Sequence, residues 1–544
     1  MAEKQMSPLD HEAWMNKREF TPEKMKIARE VLEKVRDGAD VMVTIRATPL
    51  PEGGHVSKSA LVKVYREMVE SGEWDADPAL LARIRMKPGR TLSGVTTVTV
   101  LTKPFPCPGH CIFCPDDTRM PKSYLPDEPG AARAFQNEFD PYRQVRSRIE
   151  AYEAVGHPTD KIELLILGGS WSAYPRAYQE QFIRRCFDAM NEADTATLEE
   201  AQRVNESAPH RNVGLVIETR PDQISRDELM WLRRLGVTKV QMGAQSLDDD
   251  ILKLNKRGHS TAELRRAVAL LRAGGFKIVL HWMPNLLGAT LATDRADFAR
   301  LWAERGEGAG YCPDEIKIYP TQLLEKTELH QHWERGEYRP YTTEELVNLI
   351  ADVKPSIPVY CRVNRIIRDI PSTHVVEGNR RTSLRQDALE ELKRRGQRCQ
   401  CVRCREVRGQ KVNPEHLEKR DTVYQAAQAE EHFLQMVTPD DRLAGFLRLS
   451  LPDEGAPDLA LDDLRGAALI REVHVYGQSL EVGAEVEGAA QHIGLGTALL
   501  AWAGEIARAK GYARLAVIAA IGTRKYYESR GFTRGDLYMV KPVE

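Results

Sequence analysis

Between Gly94 and Gln322 the chain repeats one pattern six times: a short, mostly apolar run ends in polar or glycine-rich residues, and an amphipathic stretch follows. The runs are GVTTVTVLT from Gly94, KIELLILGG from Lys161, NVGLVIETRPD from Asn212, VTKVQMGAQS from Val237, FKIVLHWMPN from Phe276 and DEIKIYPTQ from Asp314. Runs this rich in β-branched and aliphatic residues suit parallel strands buried on both faces. Between them, SRDELMWLRRLG and TAELRRAVALLRAGG have the apolar spacing of helices and end in a glycine placed to cap them. Six βα units predict an α/β fold with a partial parallel (βα)6 barrel, whose chemistry lies at the C-terminal ends of the strands.

The first run leads into KPFPCPGHCIFCP, which places Cys107, Cys111 and Cys114 in a C-x3-C-x2-C spacing. Of nine cysteines, six fall in two tight clusters, which points to metal ligation in a reducing compartment rather than to a disulfide framework. No run of 18 apolar residues occurs, and the opening MAEKQMSPLD has no apolar signal core, so the expectation is a cytoplasmic chain that does not engage a membrane. With a formal net charge of -2, any nucleic-acid contact must come from local basic patches.

Three thiolates leave one metal position without a protein ligand. A zinc ion that borrows a fourth ligand such as His110 is one reading. The other is an iron-sulfur cluster whose fourth iron is open. The cysteine spacing on a loop leaving a parallel strand resembles the radical S-adenosylmethionine (SAM) enzymes, and the resemblance implies a 4Fe-4S cluster chelated by SAM. It also implies that Gly168 and Gly169, after the second run, form a turn that lets backbone approach the SAM amino group; otherwise they are only a tight turn. Glu218, Gln241 and Gln245 end the third and fourth runs, where they either hold SAM ribose or substrate polar groups or make ordinary hydrogen bonds at the barrel mouth.

A second group, RCQCVRCREV, supplies Cys399, Cys401 and Cys404. With Cys312 they would make four thiolates, the donor set of a closed structural zinc site, unless they are free thiols. Around them Arg380, Arg381, Arg385, Lys393, Arg394, Arg395, Arg398, Arg403, Arg405, Arg408 and Lys411 outnumber the acidic residues. Such a run is either a solvated face or a phosphate-binding surface.

Past about Asp421 the style changes to shorter strands, a hairpin-like DDRLAGFLRLSL, and no further cysteine. A glycine-rich turn, Gln491 to Gly496, runs into an amphipathic helix ended by Gly511. Backbone N–H groups at such a helix start attract a pyrophosphate. Flanked by REVHVYG, RLAVIAA and TRKYYESRGF, it resembles the GCN5-related N-acetyltransferase fold. That resemblance implies acetyl-CoA on the glycine turn, Tyr527 near the thioester sulfur, and Tyr526 as its neighbour toward the substrate.

Barrel, basic cysteine linker and acetyltransferase-like domain in this order resemble the Elongator protein 3 family in its stand-alone bacterial and archaeal form, from about Asp40 onward. The family spacing of the first two cysteines is wider in eukaryotic members. The resemblance implies tRNA wobble-uridine carboxymethylation: a SAM-derived radical takes hydrogen from the methyl group of acetyl-CoA, the carbon joins C5 of uracil, and thioester hydrolysis leaves 5-carboxymethyluridine. It implies acetyl-CoA contacts from Lys161, Glu472, Val473, His474, Val475, Leu495, Gly496, Thr497 and Tyr527, with Gln491 and Gly494 in the turn. The tRNA anticodon stem-loop and an electron donor are the implied partners, with Elongator-like accessory subunits left open. The expected organisation is a helical tRNA-binding region at 1–89, with Lys58, Lys63 and Arg66 as phosphate contacts, a radical SAM barrel at 90–375, a zinc-binding linker at 376–420 and an acetyl-CoA domain at 421–544. Two other classes stay open: a protein-lysine acetyltransferase with Glu472 as general base and the iron-sulfur domain as scaffold, and a non-catalytic tRNA-binding module.

Overall fold

The computed structural model describes residues 20–51, 53–87, 89, 91, 93–306, 308–408, 410, 412–476 and 494–543. The chain divides into two compact units. The first comprises the residues up to Thr91 together with Ile149–Thr159. It is built on helices Pro22–Arg36, Val41–Ala47, Lys58–Glu70 and Pro78–Ile84, whose N-caps Thr21, Asp40, Ser57 and Asp77 each accept from a backbone N–H of the first turn. Leu32, Val35, Leu61, Tyr65 and Ile84 form its core. Of its candidate phosphate contacts, Lys58 donates to Arg83 O and Lys63 lies near Glu67, so both are already engaged.

The second unit, Leu92–Arg148 with Asp160–Glu544, holds two seven-stranded sheets. The first is wholly parallel and follows chain order: β1 Thr96–Leu101, β2 Lys161–Leu167, β3 Arg211–Thr219, β4 Lys239–Gln245, β5 Lys277–Trp282, β6 Glu315–Ile318 and β7 Arg362–Ile366. The six predicted strands are all present. The seventh, β7, adds to the expected six; its five residues carry two arginines and an asparagine, which hide the strand from an apolar-run criterion. Because β1 and β7 stay unpaired with each other, the sheet is an open, partial barrel. The predicted helices follow their caps: Ser260 and Glu263 form a capping box for Thr261–Ala273, which ends before Gly275 at φ +72°, and Arg226–Arg234 ends before Gly236 at φ +91°.

The second sheet runs β8 Glu418–Gln425, β9 Ala429–Val437, β10 Leu443–Pro452, β11 Ala467–Val475, β12 Arg514–Val517, β13 Thr533–Arg534 and β14 Met539–Pro542, in the order β13-β14-β12-β11-β10-β9-β8. All neighbours are antiparallel except β11 and β12. The β9–β10 hairpin matches the expected one. The β11–β12 pairing stops at Ile470 and Val517, while β11 continues along β10 to Val475, so the two parallel strands part. Helix Leu495–Ala509 covers this sheet and is followed by Gly511 at φ +82°.

The acetyltransferase-like sheet abuts the N-terminal ends of the barrel strands. At the start of β3, a Cβ on Gly522 would come within 2.7 Å of Arg211 Cβ, so only glycine allows the approach. At the starts of β5 and β7, Lys277 pairs with Glu472, and Arg362 donates to the Tyr476 hydroxyl at 3.0 Å. Just before β6, Asp314 pairs with Arg471, which also holds Glu431 at 2.8 Å. Arg448 lies 3.5 Å from Asp314 and 2.8 Å from Glu472. The side chains of Asp314, Glu431, Arg448 and Arg471 are at most 1 % exposed, so each charge depends on its partners. No helix among the described residues is long and apolar enough to cross a membrane.

Candidate functional site

At the C-terminal end of β1 the chain turns out into the loop that carries the first three cysteines. Cys111 is buried, and Cys107 and Cys114 are half-buried. A hydrogen bond from the Cys114 thiol draws the Cys111 thiol down from its usual range, and the guanidiniums of Arg257 and Arg220 add to this against burial. Arg257 Nη1 lies 3.6 Å from Cys111 Sγ, and its Nη2 donates to Gly243 O at 2.7 Å. A side chain at Gly243 would meet that Nη2 at 2.8 Å, so glycine in β4 keeps room for the arginine.

The two-glycine turn after β2 adjoins this loop. At φ +150° a Cβ on Gly168 would overlap the Thr102 hydroxyl, and one on Gly169 would lie 4.0 Å from Cys107 Cβ. Around the same mouth Arg220 Nη1 and Gln245 Oε1 are buried without a hydrogen-bond partner among the described residues. Buried polar atoms are rarely left unpaired, so this cluster fits a polar ligand. Three thiols serving a single zinc, with bonds of about 2.3 Å, would stand within about 4.6 Å of one another. Among the described residues only Cys399, Cys401 and Cys404 bring three ligand atoms within 4.8 Å. Cys107, Cys111 and Cys114 do not all come that close together, although Cys111 and Cys114 are near enough to hydrogen-bond.

Below the mouth, polar side chains face one another across the barrel. His281 Nε2 lies 3.1 Å from Gln241 Oε1, and its Nδ1 lies 3.7 Å from Glu218 Oε1. Burial pushes the Glu218 carboxyl up despite the nearby Lys317, Arg368 and Arg257, and burial pushes the His281 imidazole well down. Both groups are thereby biased toward their neutral forms.

Cys399, Cys401 and Cys404 gather as predicted, at the short helix Val402–Arg405. Cys312 does not join them. Its thiol hydrogen-bonds Tyr360 and points at Gln425 O, 3.7 Å away, because the segment before β6 tucks beneath the Tyr360–Tyr424 ring stack. The four-cysteine zinc set is therefore corrected to three. Lys354 is fully buried with no partner for its ammonium among the described residues, and its charge favours the thiolate forms of Cys399 and Cys401. A cation enclosed beside three thiols fits an anionic metal-thiolate site. Part of the surrounding basic run is neutralised: Arg381, Arg394, Arg395, Arg405 and Arg408 pair with carboxylates, whereas Arg380, Lys393 and Arg398 are exposed, with Arg380 donating to the Val375 and Val376 carbonyls, and Arg385 and Arg403 are half-buried. Lys411 lies outside the described residues.

The opening where β11 and β12 part is the candidate acetyl-CoA site. Glu472, Val473, His474 and Val475 line β11 there, all half-buried. Gly494, at φ +70°, precedes the helix that begins Leu495, Gly496, Thr497. Gln491 lies outside the described residues. The Tyr526 hydroxyl reaches Gly496, and Arg530 covers the Tyr526 ring at 3.6 Å while its Nε donates to Thr497 Oγ1 at 3.2 Å. Tyr527 is buried against Tyr526 and Phe532, and burial, Tyr526 and Glu472 raise its phenol. Burial opposes the Glu472 charge, but Lys277 and Arg448 outweigh it and hold the carboxyl at about 2. Lys161 opens β2 at the N-terminal end of the barrel, half-buried, with burial lowering its ammonium.

The predicted residues thus form two sets at opposite ends of one barrel. Cys107, Cys111, Cys114, Gly168, Gly169, Glu218, Gln241 and Gln245 stand at or near the C-terminal mouth, whereas Lys161, Glu472 to Val475, Gly494 to Thr497, Tyr526 and Tyr527 stand at the other end. Sequence reasoning missed Arg220, Arg257, Lys277, Arg448 and Arg530. Arg220 carried a signal, standing directly after Glu218-Thr219 at a strand end; the others act across the fold.

Residues 106–299 match the radical SAM superfamily, 313–394 the radical SAM C-terminal domain, and 401–532 the acetyltransferase (GNAT) family. A tRNA uridine(34) acetyltransferase of Dehalococcoides mccartyi is 42% identical, over 84% of this chain and 100% of that protein. Elongator complex protein 3 of Drosophila melanogaster is 35% identical, over 86% of this chain and 87% of its own length. The solved structure of Methanocaldococcus infernus Elp3 lacking its N-terminus superposes with a TM-score of 0.72 at 38% identity, covering 82% of this chain and 99% of that one. Fold, cysteine mouth and relatives agree: the chain belongs to the Elongator protein 3 family, a radical SAM enzyme with an acetyltransferase domain.

Proposed function

We propose that this protein carboxymethylates the wobble uridine of tRNA at C5, using acetyl-CoA as carbon source. The observation that carries the reading is the coupling of two sites: a cysteine mouth with unpartnered buried polar atoms and an acetyl-CoA opening, tied to one barrel by buried ion pairs. The name tRNA uridine(34) acetyltransferase, borne by relatives at 36–42% identity, supports the substrate. Bound at the three cysteines, a 4Fe-4S cluster with SAM supplies radical chemistry that can remove hydrogen from an unactivated methyl group, which side-chain acids and bases cannot do. The chain's own residues prepare that site. Arg257 and Arg220 balance the thiolate charge, Gly168 and Gly169 admit backbone to SAM, and Glu218 and Gln241 bind polar groups of SAM or substrate. At the other end Gly494 to Thr497 and Arg530 take the CoA pyrophosphate, and Tyr527 sits by the thioester. The methyl carbon, less one hydrogen, joins C5 of uracil as C5 gives up its proton and one electron passes back to the electron-donor system; water then cleaves the thioester, leaving a carboxymethyl group and free CoA.

Zinc at Cys399, Cys401 and Cys404 pins the linker loop, and the exposed Lys393 and Arg398 contribute to holding tRNA phosphates, with the half-buried Arg66 a further candidate. A cluster held by these cysteines would need an external electron donor. Six of the nine cysteines lie in two metal-ligand clusters, which supports a cytoplasmic setting. The lysine-acetyltransferase alternative is disfavoured because its general base, Glu472, is held ionised by Lys277 and Arg448 and is a poor proton acceptor. The test is anaerobic reconstitution of the cluster with SAM, reductant, acetyl-CoA and tRNA, followed by nucleoside mass analysis. Carboxymethyluridine that disappears in Cys111→Ala is the expected result. Acetylated lysine with unchanged nucleosides would overturn the proposal.

A further inference from the structure

The two sites lie at opposite ends of the barrel, yet the reaction needs the acetyl methyl group beside the cysteine mouth. Strand β2 spans the gap, with Lys161 at its start and the Gly168–Gly169 turn after its end. Its seven residues cover about 20 Å from first to last.

What lies between is not the close-packed aliphatic core usual for such barrels. Lys239 of β4 lies 2.5 Å from Glu163 of β2 and 3.4 Å from Glu315 of β6. Strands so far apart in one sheet can meet only across its concave face, so these three side chains point into the lumen. Glu315 also takes Lys277 at 2.7 Å and Asn364 at 2.5 Å, and Lys277 reaches Glu472 at the acetyl-CoA opening. Above this charged layer come Glu218, Gln241, His281 and Lys317, and Arg257 then leads to Cys111. Polar groups therefore recur at successive levels of the barrel between the two sites. Stability does not call for them, because buried ion pairs replaced by well-packed apolar side chains often cost nothing. One wall is also accessible. On β1 and β2 the alternate residues Thr97, Thr99, Lys161, Glu163 and Leu165 are half-exposed, while their neighbours Val98, Val100, Ile162 and Leu164 are fully buried against the outer layer.

We propose that the barrel lumen, along the β1–β2 wall, is the passage by which the acyl end of an acyl-CoA thioester travels from the acetyltransferase opening to the cysteine mouth. The Lys239 and Lys277 ion-pair layer stands at its entrance, where lysine ammonium groups can donate to the thioester carbonyl as it passes. The proposal rests on the function proposed above and deepens it.

Two measurements test it. First, an acyl-CoA whose short acyl chain ends in a photoreactive diazirine is bound to the wild-type protein, irradiated, and the adducts are mapped by peptide mass spectrometry; no cluster turnover is involved. Adducts on the lumen residues Thr97, Thr99 or Leu165 are expected, and adducts confined to the acetyltransferase surface would overturn the passage. Second, with acetyl-CoA deuterated at the methyl group, Leu165→Trp is expected to bind acetyl-CoA within twofold of wild type and to retain cluster absorbance. Its transfer of deuterium into 5′-deoxyadenosine is expected to fall more than tenfold. Undiminished transfer would overturn the passage. If Leu165→Trp does not fold, the adduct map decides alone. If the wild-type protein itself transfers no deuterium, the proposed function fails, which is a result distinct from an open route outside the lumen.

Discussion

Single side chains decide how the cysteine mouth is tuned. Arg257 contributes a positive charge 3.6 Å from Cys111 Sγ. Removing it in Arg257→Gln favours the oxidised, more positively charged cluster, so the midpoint potential should become more negative, with iron content preserved; electron paramagnetic resonance under graded reductant measures this. Gly168→Ala places a methyl group on the Thr102 hydroxyl at a φ that side chains avoid. It should weaken SAM binding by more than tenfold in a calorimetric titration while the cluster still assembles. For the second metal site the prediction separates two neighbours: Cys401→Ser should lose bound zinc, and Cys312→Ser should keep it, as counted by elemental analysis. The ligand trios were legible in the sequence because their spacings are local. Cys312 misled because a thiol more than 80 residues away can be assigned to a site only by the fold, and here Tyr360 takes it.

Among elements, the contact that matters most is the seam between the barrel's N-terminal strand ends and β10–β11. Asp314 is held below the usual carboxylate range because Arg471, Arg448 and Arg272 outweigh its burial, and Glu315 is lowered in the same way by Lys239 and Lys277. Glu472 sits at about 2. Carboxyls with folded values below their unfolded ones stabilise the protein above about pH 4 and lose that contribution as pH falls through the folded values. Stability should therefore drop steeply between about pH 4.5 and 2, as followed by intrinsic fluorescence in urea. Arg471→Met, which strands Asp314 and Glu431 in the interior, should cost about 3–5 kcal/mol at pH 7. Six strands and their capped helices could be read from apolar runs and from capping residues such as Ser260 and Glu263. Strand β7 and this seam could not. Their residues are arginines, aspartates and glutamates that read as surface in a linear chain and become interior only when two sheets meet.

For the molecule as a whole, the arrangement unites two activities that resemble separate enzymes when their segments are read alone. The barrel carries a cysteine mouth at one end and an acetyltransferase sheet at the other, and in the proposed reaction the polar lumen between them joins the two sites. The central claim is that the two carbons added to uridine come from acetyl-CoA through the cysteine mouth. The direct measurement is to supply acetyl-CoA carrying carbon-13 at both acetyl positions to the reconstituted protein with SAM, reductant and tRNA, and to analyse the released nucleosides by mass. A carboxymethyluridine bearing both labels, absent from Cys111→Ala and from SAM-free reactions, is the predicted result. Labelled acetyl groups on protein lysines with unlabelled, unmodified uridine would contradict it.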